Sequence, residues 1–293
     1  MTNKQFFIKA MTIATAQLAV GAIYAIFLWV APDARKAPTI TFADFLKMIP
    51  AGVCSALAHA ASVFSLSSGG VAFGQIVKAA EPAFAAVIGT FVYGKKISVA
   101  KWICLIPIIG GVCLAALKLN DKTGVPELDF SVPGLLGAVA ANVFASFKAN
   151  ESDKLMKTPG LKDRIGGGGN TFALMTIISL LTSIPLMIGK EGPKLKTFWN
   201  IFQTKKACYE NIILSGLTFY GYNEVATMTL TKISTVTNSV ANTAKRVVVI
   251  VGSAIVFKES ISGLKAIGCA TCIISVFVYS IIDDLVKPKA KSA

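Results

Sequence analysis

The chain has 293 residues, of which 54% are hydrophobic and only 15% are charged, and its formal net charge is +14. Because soluble domains carry about 25% charged residues, this composition excludes an ordinary water-soluble domain and indicates a lipid bilayer as the solvent. Most lysines and arginines lie in short segments between apolar runs, where they suit lipid headgroups and aqueous edges. The sequence has no basic stripe interleaved with aromatics, which argues against nucleic-acid binding.

Nine apolar stretches are long enough to cross about 30 Å of hydrocarbon, which takes roughly 20 helical residues each. In chain order these stretches cover residues 9–31, 42–67, 70–93, 98–117, 131–157, 170–189, 208–230, 233–257 and 261–283. The first has a basic lead but no clear small-residue cleavage site, so it is predicted to be a helix rather than a signal peptide. The pattern therefore predicts an all-α membrane protein with about nine transmembrane helices.

A weak internal repeat relates two parts of the chain. Residues 91–98, FVYGKKIS, resemble residues 255–262, IVFKESIS, at an offset of 164 residues. Many transporters are built from halves related in this way, with the binding site at the repeat interface near mid-membrane. The sequence therefore predicts an inverted-repeat bundle forming one membrane domain. Its predicted parts are the N-terminal half-bundle with the first helix of the second repeat (1–157), a flexible glycine-rich loop (158–170) and the remainder of the second repeat (171–293).

Two adjacent cations, Lys245 and Arg246, stand in the middle of the apolar stretch 233–257. A charge at the bilayer centre costs about 2.5–3.5 kcal/mol even on the lenient insertion scale. Neighbouring helical residues point about 100° apart, so both side chains face inward only around a wet or anion-filled cavity. The alternative is burial against a carboxylate, for which Glu81 and Glu224 are the candidates.

A third cation, Lys78, lies three residues before Glu81 in another apolar stretch. A simple ion pair on one helix face is one interpretation of this spacing. Pro82 favours a distortion of the helix that frees backbone groups at this depth. The three cations against Glu81 leave a net charge of about +2, which matches a dianionic phosphate monoester. An anion site around Lys78, Lys245 and Arg246 is the other interpretation.

Several further polar residues within the apolar stretches are weaker candidates. The repeat offset places His59 opposite the residue that follows Tyr222. Tyr222 and Ser62 carry hydroxyl groups suited to the organic part of a substrate, although packing or interhelical hydrogen bonding explains His59 and Tyr222 equally well. Lys148 lies near the end of its stretch, where it either contributes to the site or extends to the membrane surface.

The sequence carries no catalytic motif and predicts no metal or cofactor. His59 is the single histidine, and the Cys269–Cys272 CxxC pair falls within an apolar stretch, where packing is the better interpretation. The glycine run at 166–169 lacks the lysine and preceding strand of a phosphate-binding loop. No GxSxG or HExxH pattern is present.

Four segments resemble motifs of the plastidic phosphate translocators. Residues 71–84, VAFGQIVKAAEPAF, resemble the family motif VSFTHxIKxxEPxF. Residues 220–226, YGYNEVA, resemble YxLYNQxA with one residue fewer before the second tyrosine, and residues 242–247, NTAKRV, resemble NxxKR. Residues 58–62, AHAAS, are similar to the histidine-containing segment of the family. The combination of Lys78 in the first of these segments with the adjacent pair Lys245-Arg246 in 242–247 is typical of this branch of the drug/metabolite transporter superfamily.

The resemblance implies a ten-helix inverted-repeat antiporter in the plastid inner envelope. Such carriers exchange inorganic phosphate for triose phosphate, 3-phosphoglycerate or related phosphorylated compounds by alternating access. The positions that match the phosphate ligands of the family are Lys78, Lys245 and Arg246. The positions that match its other substrate contacts are His59 and Tyr222, with Lys148 where the family commonly has arginine.

Departures from the family motifs leave the organic substrate open. Gly74-Gln75 replaces Thr-His, and Ala145 stands where an aromatic residue is frequent. Carriers of phosphoenolpyruvate, pentose phosphate, hexose phosphate or a nucleotide sugar are therefore alternatives, as are a non-transporting membrane protein and an intramembrane enzyme. Asn3-Lys4 resembles the end of the first family helix, so the expectation is that this chain lacks that helix.

Overall fold

The computed structural model describes residues 3–69, 71–119, 126–128, 131–230, 235–257 and 263–286. In this part of the chain the helices are α1 (Asn3–Val30), α2 (Phe42–Ser68), α3 (Val71–Ala79), α4 (Glu81–Phe91), α5 (Val99–Ala115), α6 (Val132–Met156), α7 (Leu161–Ile165), α8 (Gly168–Thr204), α9 (Lys206–Leu230), α10 (Thr235–Phe257) and α11 (Gly263–Val286). One short antiparallel pair, β1 (Leu117–Leu119) and β2 (Pro126–Leu128), joins α5 to α6 with Leu117 opposite Leu128. The predicted all-α class is confirmed.

Five of the described helices are long and apolar enough to cross a membrane. The corresponding segments are Ala10–Val30, Phe42–Ser68, Val132–Met156, Gly168–Thr204 and Gly263–Asp283. Two shorter apolar helices cover Val99–Ala115 and Val247–Val256. The predicted stretch at 70–93 contains two helices, α3 and α4, rather than one. With many exposed aliphatic side chains along these helices, the chain is an integral membrane protein.

The chain divides into two compact units. Unit 1 comprises Met1–Phe64 and Phe147–Lys232, and unit 2 comprises Ser65–Ser146 and Ile233–Ala293. Each unit thus combines segments from both sides of the predicted link at 158–170. Spatial compactness and sequence repeats are separate properties, so the proposed division into two repeats stays a prediction.

The predicted flexible loop at 158–170 contains regular structure. It includes α7, and α8 already begins at Gly168. Arg164 of α7 donates two hydrogen bonds to Asp44 of α2, both at 2.8 Å, and its carbonyl accepts a hydrogen bond from the Thr39 amide, also at 2.8 Å. The Asp44 carboxylate raises the pKa of the Arg164 guanidinium above its ordinary value. This ion pair ties α7 to the start of α2.

In unit 1, α1 runs antiparallel to α8 and is held to it at both ends. Trp29, near the end of α1, donates from Nε1 to Asn170 at the start of α8 at 2.9 Å. At the other end, the buried Glu191 carboxylate of α8 accepts hydrogen bonds from the backbone amides of Met11 and Thr12, at 3.1 and 2.9 Å. A buried carboxylate that accepts backbone N–H groups is satisfied without a cationic partner.

In unit 2, α5 and α11 pack antiparallel with unusually close backbones. A Cβ placed on Gly111 of α5 would lie 2.7 Å from the Cys272 nitrogen of α11. Near the end of α11, Asp283 forms an ion pair with Lys101 and accepts a hydrogen bond from Ser98, both at 2.6 Å. Small residues at such a crossing allow dense van der Waals packing where lipid provides no hydrophobic driving force. Cys272 is fully buried at this crossing, as expected for the packing role predicted for it.

Candidate functional site

Lys78 lies beside a break between two helices. It occupies the last turn of α3, its side chain is half-buried, and Ala80 separates α3 from α4. Pro82 stands in the first turn of α4, where a missing backbone N–H leaves no hydrogen bond unmade. The distortion predicted at Pro82 therefore coincides with a one-residue break at Ala80, between α3 and α4. Discontinuous helices of this kind form substrate sites in many transporters.

The Val77 carbonyl lies at this break and accepts a hydrogen bond from α6. Asn142, which is 1% exposed, donates from Nδ2 to the Val77 carbonyl at 2.9 Å. The Ala80 amide donates to the same carbonyl at 3.1 Å. The Asn142 hydrogen bond therefore ties α6 to the last turn of the helix that carries Lys78. The sequence analysis missed this residue, although a buried asparagine in an apolar stretch is a recognisable signal.

Glu81 occupies the first turn of α4. A carboxylate at that position interacts favourably with the positive end of the helix dipole. This placement supplies a structural reason for an acidic residue at 81, in addition to the predicted role as charge partner. Lys78 and Glu81 therefore belong to two different helices, α3 and α4.

Lys245 and Arg246 lie on α10, which packs against α3 in unit 2. Ile76 of α3 and Ile250 of α10 belong to the same buried cluster, so the helices that carry Lys78 and Lys245 are direct neighbours. The Lys245 side chain is exposed and thus accessible to a ligand. The side chain of Arg246 lies outside the part of the chain that the structure describes.

Unit 1 carries the predicted contacts to the organic part of a substrate. His59 of α2 is 8% exposed, and its ring centroid lies 4.2 Å from that of Phe219 on α9. Tyr222, three residues further along α9, is 45% exposed. The Ser62 hydroxyl donates to the Ala58 carbonyl of its own helix at 2.8 Å, so its proton is already engaged. The buried His59 ring and the accessible Tyr222 hydroxyl therefore lie on neighbouring helices of unit 1, α2 and α9.

Lys148 lines a cavity of about 580 Å³ inside unit 1. Lys162, Thr171 and Thr227 contribute to the same lining, and Gly168 lies at the start of α8 on its wall. A Cβ on Gly168 would come within 3.0 Å of the Thr227 carbonyl oxygen, so glycine permits this close approach of α8 and α9. The glycine run predicted as a link therefore also serves as a packing surface.

A buried network on α9 involves a residue that the sequence analysis did not select. Arg35, in the connection after α1, donates to Glu224 at 2.5 Å, and the Tyr220 hydroxyl donates to the same carboxylate at 3.0 Å. Burial lowers the pKa of Arg35, but the hydrogen bond and charge of Glu224 outweigh this effect and raise it. Glu224 is therefore a structural partner of Arg35, two residues from Tyr222 on the same helix.

We expect this ion pair to contribute strongly to the stability of unit 1. The Arg35 and Glu224 side chains are 19% and 9% exposed, so removal of either charge leaves the other poorly solvated. Glu224→Gln and Arg35→Gln should each cost on the order of 3 kcal/mol. The double variant should lose clearly less than the sum. Thermal unfolding of the detergent-solubilised protein measures this cycle, and additive losses would contradict the coupling.

Within the described residues, no group of three or more His, Cys, Asp or Glu side chains is arranged to hold a metal ion. The polar features of the two units are cations, hydroxyls, amides and paired carboxylates.

Comparison with known proteins identifies the family. The Triose-phosphate Transporter family model matches residues 1–280. Glucose-6-phosphate/phosphate translocator 1, chloroplastic, of Arabidopsis thaliana is 32% identical over 272 residues, covering 91% of this chain and 66% of that protein. Phosphoenolpyruvate/phosphate translocator 3, chloroplastic, of Oryza sativa subsp. japonica is 34% identical over 281 residues, covering 95% and 68%. Triose phosphate/phosphate translocator, chloroplastic, of Flaveria trinervia is 33% identical over 289 residues, covering 96% and 67%.

The chain spans about two thirds of the length of these curated relatives. The match extends over nearly all of its own residues, including the four segments whose motifs resemble the family. That resemblance is confirmed. The chain belongs to the Triose-phosphate Transporter family, a family of membrane transporters rather than enzymes.

Proposed function

We propose that this protein exchanges inorganic phosphate for a phosphorylated three-carbon compound across the plastid inner envelope by alternating access. The observation that carries the proposal is the pairing of two helices in unit 2. The helix α10 bears Lys245 and Arg246 between apolar residues, and it packs against α3, which ends beside Lys78. Cations at this depth need an anionic ligand or a buried carboxylate to offset their cost.

The cations favour a doubly charged phosphate group as the ligand. Arg246 offers a planar fork that matches two phosphate oxygens, whereas Lys78 and Lys245 act as point charges. With Glu81 also present, the balance is about +2, which a phosphate dianion neutralises. When the site is empty, this charge opposes any state that withdraws it from water. Obligatory exchange, rather than leakage of phosphate, follows from that opposition.

His59, Tyr222, Ser62 and Lys148 are proposed to contact the organic part of the substrate. Their aromatic, hydroxyl and ammonium groups suit a short carbon chain that carries hydroxyl or carboxylate oxygens. The names of the relatives include glucose-6-phosphate, phosphoenolpyruvate and triose phosphate translocators, at similar identities of 32, 34 and 33%. The three-carbon class is proposed because the motif resemblance gives matching family positions for six of the seven proposed contacts, all except Ser62.

A panel of counter-substrates tests this proposal. The full chain is reconstituted into liposomes preloaded with phosphate, and uptake of labelled phosphate is competed with dihydroxyacetone phosphate, 3-phosphoglycerate, phosphoenolpyruvate, glucose 6-phosphate, xylulose 5-phosphate and a nucleotide sugar. We expect the first two to compete best, and we expect little uptake into liposomes without internal phosphate. Stronger competition by glucose 6-phosphate or the nucleotide sugar would overturn the substrate class. Equal uptake without internal phosphate would overturn exchange.

A further inference from the structure

The helix α8 is much longer than a bilayer requires. Its 37 residues extend over about 55 Å at 1.5 Å per residue, whereas the hydrocarbon core is about 30 Å thick. Its apolar part ends near residue 189, and residues 190–204 continue the helix with lysines and aromatics. Residues 190–204 of α8 therefore extend beyond the length that the hydrocarbon requires.

The end of α8 and the start of α9, residues 190–209, form a segment that we call the lysine–aromatic segment. All five of its lysines are exposed: Lys190, Lys194, Lys196, Lys205 and Lys206. Its acidic residue, Glu191, is buried and bonded to backbone amides of α1. Glu210 follows the segment and lies 3.6 Å from Lys206. The exposed charge of the segment is therefore strongly positive.

Aromatic rings accompany these lysines. The Trp199 and Phe202 ring centroids are 5.7 Å apart, and the Phe202 and Tyr209 centroids are 6.2 Å apart across the α8–α9 connection. Trp199 is 56% exposed. Tryptophan and tyrosine concentrate at the headgroup level of membranes, where an apolar ring meets a polar surface. The combination of exposed lysines and aromatics is typical of helices that lie against anionic lipid.

A cavity of about 710 Å³ opens at the same end of unit 1. It lies between Thr12 and Ile13 of α1, residues 194–201 of α8 and the start of α9, and Lys194 is on its wall. Its apolar lining includes Ile13, Phe198, Ile201 and Ile212. This size is within the range of about 300–1,000 Å³ that holds small ligands in proteins. The lining also includes polar residues, among them Thr12, Thr197 and Asn211. Its aliphatic and aromatic part suits an acyl chain.

We propose that this end of unit 1 binds an anionic membrane lipid. The acidic headgroup contacts Lys194 with its neighbours Lys190 and Lys196, and one acyl chain occupies the cavity. Charge complementarity selects the headgroup, because each lysine near the surface attracts anionic lipid and no exposed carboxylate lies among these three lysines. The bound lipid then holds α1, α8 and α9 together at their membrane-surface ends. This site is separate from the residues proposed to bind the transported substrate.

The test compares lipids of different charge. The full chain is purified in neutral detergent, and its Tm is measured during titration with phosphatidylglycerol or phosphatidylcholine. Because a ligand that binds the folded state raises the Tm, phosphatidylglycerol should stabilise the protein at lower concentration than phosphatidylcholine. In the variant K190Q/K194Q/K196Q the apparent affinity for phosphatidylglycerol should fall roughly tenfold or more. Equal effects of the two lipids on the unaltered protein would overturn the proposal.

Two further variants keep the test specific. K47Q/K154Q/K157Q removes three exposed lysines near the opposite end of unit 1 and should retain the phosphatidylglycerol effect. Ala207→Phe introduces a bulky side chain on the cavity wall without a change in charge, and it should also weaken phosphatidylglycerol binding. Unchanged lipid affinity in Ala207→Phe would contradict an acyl chain in the cavity.

Inorganic phosphate distinguishes a lipid site from a free-anion site. Any stabilisation by phosphate should be the same in the unaltered protein and in K190Q/K194Q/K196Q, because the proposed transport site remains intact. If this variant loses the effect of phosphate, the three lysines bind a free anion and the lipid assignment is wrong. The lipid test is independent of the counter-substrate panel, because lipid binding is measured by Tm and not by exchange. A negative result in the panel would therefore not contradict the lipid site.

Discussion

The double variant Lys245→Ala with Arg246→Ala is expected to lose phosphate exchange while the protein remains folded. Each charge-assisted hydrogen bond to a phosphate oxygen contributes about 1.5–3 kcal/mol, so loss of both cations should lower exchange by roughly 100-fold or more. The helix α10 retains its apolar surface against α3 and gains two residues of high helix propensity. Labelled phosphate uptake into preloaded proteoliposomes measures the effect, and Tm reports the fold.

Two control variants distinguish the loss of the proposed anion site from a general loss of positive charge. Lys95→Ala with Lys96→Ala removes an adjacent pair of positive charges from the connection between α4 and α5, and it should leave exchange nearly unchanged. Arg246→Lys keeps the charge but loses the bidentate fork, so it should have an intermediate rate. Normal exchange by the double alanine variant would refute the assignment of the anion site to these residues.

Gly111→Leu is expected to disrupt unit 2. A Cβ at this position would lie 2.7 Å from both the Cys272 nitrogen and the Gly268 oxygen of α11. These neighbours are backbone atoms, which cannot rotate away as a flexible side chain does. Ordinary overpacking costs about 1–3 kcal/mol, and we expect a larger loss here because α5 and α11 must separate along their contact. The yield of monodisperse protein and its Tm are the measurements.

The preceding residue supplies a matched control. A Cβ on Gly110 meets no described atom within 4 Å, so Gly110→Leu makes the same chemical change on the same helix without the backbone clash. This variant should fold with a Tm close to that of the unaltered protein. If Gly111→Leu proves as stable as Gly110→Leu, the close packing of α5 and α11 does not occur as described.

Several local features differ from their sequence-based expectations for physical reasons. Pro82 predicted a distortion, and the break at Ala80 is accompanied by a hydrogen bond from Asn142, which reaches the Val77 carbonyl from another helix. The helix α8 continues 15 residues past the predicted end at residue 189. The length of an apolar stretch indicates how many residues the hydrocarbon core can hold. A helix, in contrast, ends only where its backbone hydrogen bonds end.

The sequence by itself determined the membrane environment, the all-α class, the family and the position of Lys245 and Arg246 within an apolar stretch. These properties depend on composition and order along one chain, measured against the fixed thickness of a bilayer. The tertiary structure alone decided which distant groups meet. Arg35 pairs with Glu224 across 189 residues, and Gly111 meets Gly268 at a backbone crossing. Such contacts depend on how helices pack in three dimensions, which hydropathy along the chain does not encode.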